Sequence, residues 1–214
     1  MKKNIVLFIL FVLPIVAYLF FASGVNSFTT LPVINPKVEE LGNWKSLDSK
    51  PVQLQGKITV LGFGGTDILK NRGNLFNLNQ KVYERYHAFT DLQFVYVCVD
   101  GTQKDVQAIY DKCAEISDMK EWKFVFASPE EIAKFHAGLK LKGTLNPDFG
   151  TPNIYLIDKK LKLRGRNDKD AYVEGYDTFH PSAISNEFLD DFKVLLYEYK
   201  AALKRNNNAT KRQI

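Results

Sequence analysis

The sequence predicts an α/β domain with a mostly parallel sheet, carried behind an apolar N-terminal helix. Three observations predict it. Short runs rich in β-branched and aromatic residues alternate with segments whose apolar residues recur every three or four positions. One run, Gln93–Asp100 (QFVYVCVD), is apolar almost without interruption, as expected of a central strand covered on both faces. Near the end, Asn153–Asp158 and Leu161–Arg166 are separated only by a turn at Lys159 and Lys160, so a hairpin adds an antiparallel edge.

The elements follow in order. After Lys2 and Lys3 comes Ile5–Ala22, eighteen residues with no charge and one proline. As a helix it spans about 27 Å, close to the hydrocarbon thickness of a bilayer. It exceeds the apolar part of an ordinary cleaved signal, although Ala22-Ser23-Gly24 leaves cleavage before Val25 open. A retained anchor (residues 1–24) is the preferred reading. Lys2 and Lys3 hold the N-terminus in the cytoplasm and place the rest outside it. In a Gram-negative cell that puts a single-pass protein in the inner membrane, with its domain in the periplasm. Residues 25–51, with Pro32 and Pro36 and few apolar clusters, read as a stalk.

The domain is expected over residues 52–204. Ile58–Phe63 is a buried strand. Leu75, Leu78, Val82, Tyr86 and Phe89 mark an amphipathic helix over Asn74–Phe89. Val106, Ile109, Tyr110, Cys113 and Ile116 mark the helix after the central strand. Trp122–Ala127 is a third strand, and Ser128-Pro129 opens the next helix as N-cap and first helical residue. A polar stretch, Asn167–Pro181, leads from the hairpin to a last helix with Phe188, Leu189, Phe192, Leu195, Leu196, Tyr199 and Leu203 on one side. Residues 205–214 are expected to be a disordered tail.

Composition agrees with a globular domain: 45% hydrophobic and 25% charged residues. The net charge of +5 is mild and partly terminal. No internal basic stripe carries interleaved aromatics, which argues against nucleic-acid binding.

The order β-α-β-α-β-α-β-β-α fits a thioredoxin-like fold with one βα unit inserted before the hairpin. Over roughly Val52–Lys204 the chain resembles the Sco/SenC family, membrane-anchored thioredoxin-like proteins that deliver copper to cytochrome oxidase. FGGTDILKNRG, Phe63–Gly73, lies on the family's F-G-F-T-x-C-P-x-x-C-P segment, matching Phe63, Gly64 and Thr66. SPEEIAKFHAGLKLKG resembles its inserted helix, TPNIYLIDKKLKLRG the strands after its metal-binding histidine, and LDDFKVLLYEYKAALK its last helix. The resemblance implies a role in cytochrome oxidase or envelope assembly, and copper as cargo.

The departures fall on the site. The two cysteine positions hold Ile68 and Arg72, and the histidine position falls at or near Gly150. Cu(I) selects thiolates, which isoleucine cannot supply, and the arginine cation repels a metal. Thiol exchange also requires a thiolate. The expected state is a retained scaffold with an emptied site, so no catalytic residue, metal ligand or cofactor is assigned.

Other residues offer limited rescue. Cys98, near the end of its strand, and Cys113, far down the next helix, are mismatched in height, so two buried free thiols are expected rather than a disulfide. His87, His136 and His180 lack partners at ligand spacing, although the long loop at His180 leaves room to fold back. Gly62, Gly64 and Gly65 provide a tight turn rather than a phosphate loop, for no Walker pattern follows. Asp67 and Asp100 read as turn residues more than as paired carboxylates.

Thr151-Pro152 precedes a strand where thioredoxin-like proteins commonly place a cis-proline. Gly64, Gly65, Thr66, Asp67, Arg72, Thr151 and Pro152 are therefore expected to border a shallow groove able to pair with an extended segment of a partner. The functional expectation is an accessory or docking protein without enzymatic activity. The alternatives are a copper chaperone with non-standard ligands such as Cys98 or His180, and a thiol oxidoreductase using Cys98 or Cys113.

Overall fold

The computed structural model describes residues 8, 10–18, 30–167 and 172–211. Its centre is the strand β3 (Ile58–Gly65), flanked by β4 (Leu92–Val99) in parallel and β6 (Gly150–Ile157) in antiparallel. β5 (Trp122–Ala127) continues the parallel half beyond β4, and β7 (Leu163–Arg164) continues the antiparallel half beyond β6. All eight residues of β3 and of β4 are buried, which explains their unbroken apolar sequence. Their side chains alternate between two layers. Val60, Phe94, Tyr96 and Cys98 face one core. Leu61, Phe63, Val95 and Val97 face the other.

The first core is closed by three helices: α1 over residues 72–86, α2 (Gln103–Ala114) and the C-terminal α4 over residues 181–211. Leu75, Leu78 and Val82 from α1, Val106, Ile109 and Cys113 from α2, and Phe188, Phe192 and Leu195 from α4 supply the contacts. Within α1, Asn79–Tyr83 is wound as a π-helix, and there Asn79 accepts from the Trp122 indole at 3.1 Å and donates to Ser117 at 2.8 Å. The second core is closed by α3 (Pro129–Gly138), through Ile132 and Phe135. The Ser128 hydroxyl accepts from Glu131 N, as an N-cap should, and Glu131 accepts from Ser128 N in return.

Residues 31–51, expected as part of a stalk, belong to the domain. They supply both outer strands of the sheet: β1 (Val33–Asn35) pairs with β7, and β2 (Lys45–Ser46) pairs with β5. Between them the chain is held by side chains rather than by periodicity. The Asn35 amide donates to the carbonyls of Gly138 and Leu139, both at 3.0 Å, and the Glu40 carboxylate accepts from Leu54 N and Gln55 N. Strands this short, in a proline-bearing segment, carry no sequence signal, yet they cover edges that would otherwise be open templates for pairing.

The expected span Ile5–Ala22 falls partly outside the described residues. Residues 10–18 are helical, and among the described residues no helix is long and apolar enough to cross a membrane. Of the tail 205–214, expected to be disordered, the residues up to Lys211 continue α4. The reason is local: no glycine or proline interrupts the chain after Pro181. The remaining short strands are β8 (Arg166–Asn167), paired with β9 (Tyr172–Val173), and β10 (Tyr176–Asp177), which runs antiparallel to β6.

Candidate functional site

The exit of β3 is built by three strands. Register places Gly64 opposite Gly150, Phe63 opposite Thr151, and Gly65 beside Cys98. Gly65 has φ +66°, and a Cβ there would overlap the Asp148 carbonyl oxygen and lie 2.7 Å from Gly150 N. Thr66 N donates to that Asp148 carbonyl at 2.8 Å, and the Asp148 carboxylate accepts from Gly150 N at 3.1 Å. The loop before β6 is thereby fastened onto the strand exit, and only glycine fits beneath it.

Gly64 leaves space on the other side, and two side chains take it. Cys98 Sγ and Ile68 Cδ1 each lie 3.0 Å from where a Gly64 Cβ would stand. Ile68, which the sequence resemblance would set at a cysteine position, is buried in the same core cluster as Cys98. The thiol is completely buried, and that burial pushes its pKa far above the ordinary value. Burial also pushes Cys113 up to about 11. Both cysteines are free, as their mismatched heights foretell. One sulfur therefore stands at the exit, fully buried beside a hydrocarbon side chain, and its burial favours the thiol.

No imidazole joins it. His136 lies in the opposite layer, its ring 5.2 Å from that of Phe63 and 6.2 Å from that of Tyr155. Its Nε2 is buried without a hydrogen-bond partner, and desolvation lowers its pKa, against a smaller opposing pull from Glu174. His87 is exposed and bonds to the Glu84 carbonyl. Among the described residues no three His, Cys, Asp or Glu side chains are grouped so as to hold a metal. The residues at the exit do not fit copper: one buried neutral thiol beside an isoleucine is not a soft, ionised ligand set.

The groove residues separate into two groups. Gly64, Gly65, Thr66 and Thr151 come together with Asp148 and Gly150 at the exit. Asp67 instead caps its own turn, accepting from Lys70 N at 3.2 Å, and Arg72 is exposed at the start of α1. Asp100 likewise accepts from the Gln103 side chain, so both aspartates have turn partners of their own.

Pro152 departs from expectation in its peptide bond. No cis peptide occurs among the described residues. The register explains it. Thr151 faces Phe63 while Ile154 faces Gly62, so Pro152 and Asn153 form a bulge. A proline without an N–H is tolerated in such a bulge with a trans bond. The Pro152 carbonyl accepts from both Thr178 N (3.0 Å) and the Thr178 hydroxyl (2.6 Å).

That contact brings residues 172–181, the described part of the polar stretch before the last helix, back to the site. β10 pairs Tyr176 with Ile154 and Asp177 with Asn153. His180 Nδ1 then lies 2.5 Å from Asp177 Oδ2, beside the exposed ring of Phe179. Asp177 and His180 border a cleft of about 600 Å³, whose walls also include Asn153, Lys142 and Glu174. Glu174 closes the wall by accepting from Lys142 N, Gly143 N and the Tyr172 hydroxyl. Sequence reasoning missed Asp148, Asp177 and Thr178. The only signal was the length of the polar segment, which left His180 room to fold back.

No protein-family model and no curated protein matches the chain. Solved structures do. The soluble domain of Sco1 from Bacillus subtilis superposes with a TM-score of 0.50 and 17% identity, covering 80% of this chain and 95% of that one. A candidate protein disulfide isomerase from Bacteroides thetaiotaomicron superposes with a TM-score of 0.51 and 15% identity, covering 79% of this chain and 95% of that one. At such identities the likeness concerns architecture alone. The chain is an α/β protein of thioredoxin-like fold with a mixed sheet, and no pair of cysteines stands at the exit of its first central strand.

Proposed function

We propose that this is an exported, membrane-anchored Sco-like domain that serves as a docking or accessory module in the assembly of a respiratory or other envelope complex. One observation carries the reading: Ile68 packs where a sulfur would be needed, against the same glycine as the fully buried Cys98. The residues around it remain suited to a partner. Thr66 is exposed at the turn, and Asn153 of the bulge and Asp177 of β10 border an open cleft. An extended segment of a partner protein laid along this groove gains affinity from backbone hydrogen bonds and side-chain contacts without any covalent step.

Two other readings each have one observation behind them. A thiol oxidoreductase gains from the position of Cys98 at the exit, but it needs a second sulfur and an accessible thiolate. A copper chaperone gains from the resemblance, but it needs ligands that this exit lacks. The test is photo-cross-linking in native membranes, with the probe in place of Thr66. The docking reading predicts one reproducible adduct, absent when the probe stands at the exposed Lys120, which precedes β5 at the opposite end of the sheet. Identical background patterns at the two positions would contradict it.

A further inference from the structure

The strongest unabsorbed feature is a buried charge cluster far from the groove. Arg164, on β7, is 7% exposed through its side chain and uses every face of its guanidinium. Nη1 meets Asp158 Oδ2 at 2.9 Å, Nη2 meets Glu198 Oε2 at 2.7 Å, and Nε donates to the Leu31 carbonyl at 3.0 Å. Glu198 in turn accepts from Leu31 N at 2.5 Å. Both backbone groups of Leu31 are thus gripped by opposite charges, one from the sheet and one from α4. Leu31 itself is buried, and Gly165 N donates to the Pro32 carbonyl at 3.1 Å just beyond it.

This cluster sets how much chain is free. Nine peptide units separate Ala22, the last residue of the apolar segment, from Leu31. Their contour reaches at most about 30 Å, whereas a stalk running to residue 51 would reach about 100 Å. Within the sheet, Arg164 pairs with Leu156, six residues along β6 from Gly150 at the strand exit. That is about 20 Å along the strand, with about 10 Å more across to β3.

We propose that the Arg164–Asp158–Glu198 cluster is a clamp on Leu31 that replaces a long stalk with a short tether. The groove then works within about 60 Å of the bilayer. This rests on the reading of Ile5–Ala22 as a retained anchor, and it deepens the proposed function by naming the partner's class. The docked segment belongs to a protein that is itself membrane-bound and presents that segment close to the surface. A soluble partner would need no such restriction.

The test uses the full chain in liposomes. Cys98 and Cys113 are buried, so a donor dye on Lys70→Cys, beside the groove, labels one exposed thiol. Energy transfer to acceptor lipids in the facing leaflet then reads its height. The wild-type cluster should give strong transfer, and a twenty-residue Gly/Ser insertion after Asn26 should cut it at least two-fold. Arg164→Gln should move transfer toward the insertion value and raise amide exchange at Leu31 at least ten-fold. Glu198→Gln, which keeps the Arg164–Asp158 pair, guards against misfolding of the first variant and should shift both readouts in the same direction. Wild-type transfer as weak as the insertion's, or Leu31 exchange unchanged in both variants, overturns the clamp. Failure of the chain to float with liposomes overturns the anchor instead, and Leu31 exchange still judges the cluster.

Discussion

Gly65 fixes the shape of the site. Its positive φ and the Asp148 carbonyl above it leave no room for a side chain, whereas Gly56, also at positive φ (+83°), has nothing within 4 Å of its Cβ position. The pair separates backbone strain from collision. Gly56→Ala should cost about 1 kcal/mol and Gly65→Ala about 3 kcal/mol, read from denaturant midpoints of the two variants. Equal losses would mean that the loop before β6 yields and is not fastened as described. The same residue shows what is legible from sequence. A GFGG run at a strand end announces a tight turn. It does not announce that the carbonyl of Asp148, in a much later loop, closes over it, because that contact depends on the register of β3 against β6.

At the scale of elements, α3 shows both outcomes. Its start is written in Ser128-Pro129, since capping is local chemistry. Its docking is not, because His136 reads as an ordinary helix residue until the fold places it against Phe63 and Tyr155. There it is kept neutral, with its pKa below the ordinary 6.5. The unfolded chain therefore takes up a proton at a pH where the folded one does not. Stability should fall as pH drops below about 6.5 and level off below the folded value. His136→Leu should flatten that decline between pH 7 and 5 in thermal melts. An equal slope in both proteins would show that the imidazole protonates freely in the fold. The edge strands β1 and β2 and the short β10 were illegible for a different reason. Two or three residues cannot display a period, and their positions are set by partners such as Asn35, Arg164 and Thr178.

For the whole molecule, the alternation of strands and helices was enough to foretell a sheet covered on both faces, and the two core clusters divide along β3 and β4 as that alternation requires. The mismatched heights of Cys98 and Cys113 also foretold that the two would stand as free, buried thiols. They did not foretell that Cys98 would lie beside the exit with Ile68 next to it. The proposed reading requires a thioredoxin-like scaffold whose strand exit offers no ligand set for copper. The most direct measurement is the copper content of the purified full-length protein after anaerobic Cu(I) loading and desalting, with Ile68→Cys measured beside it. Wild-type protein should retain no more copper than a cysteine-free control of similar size. Retention of one equivalent by the native wild-type chain would contradict the account.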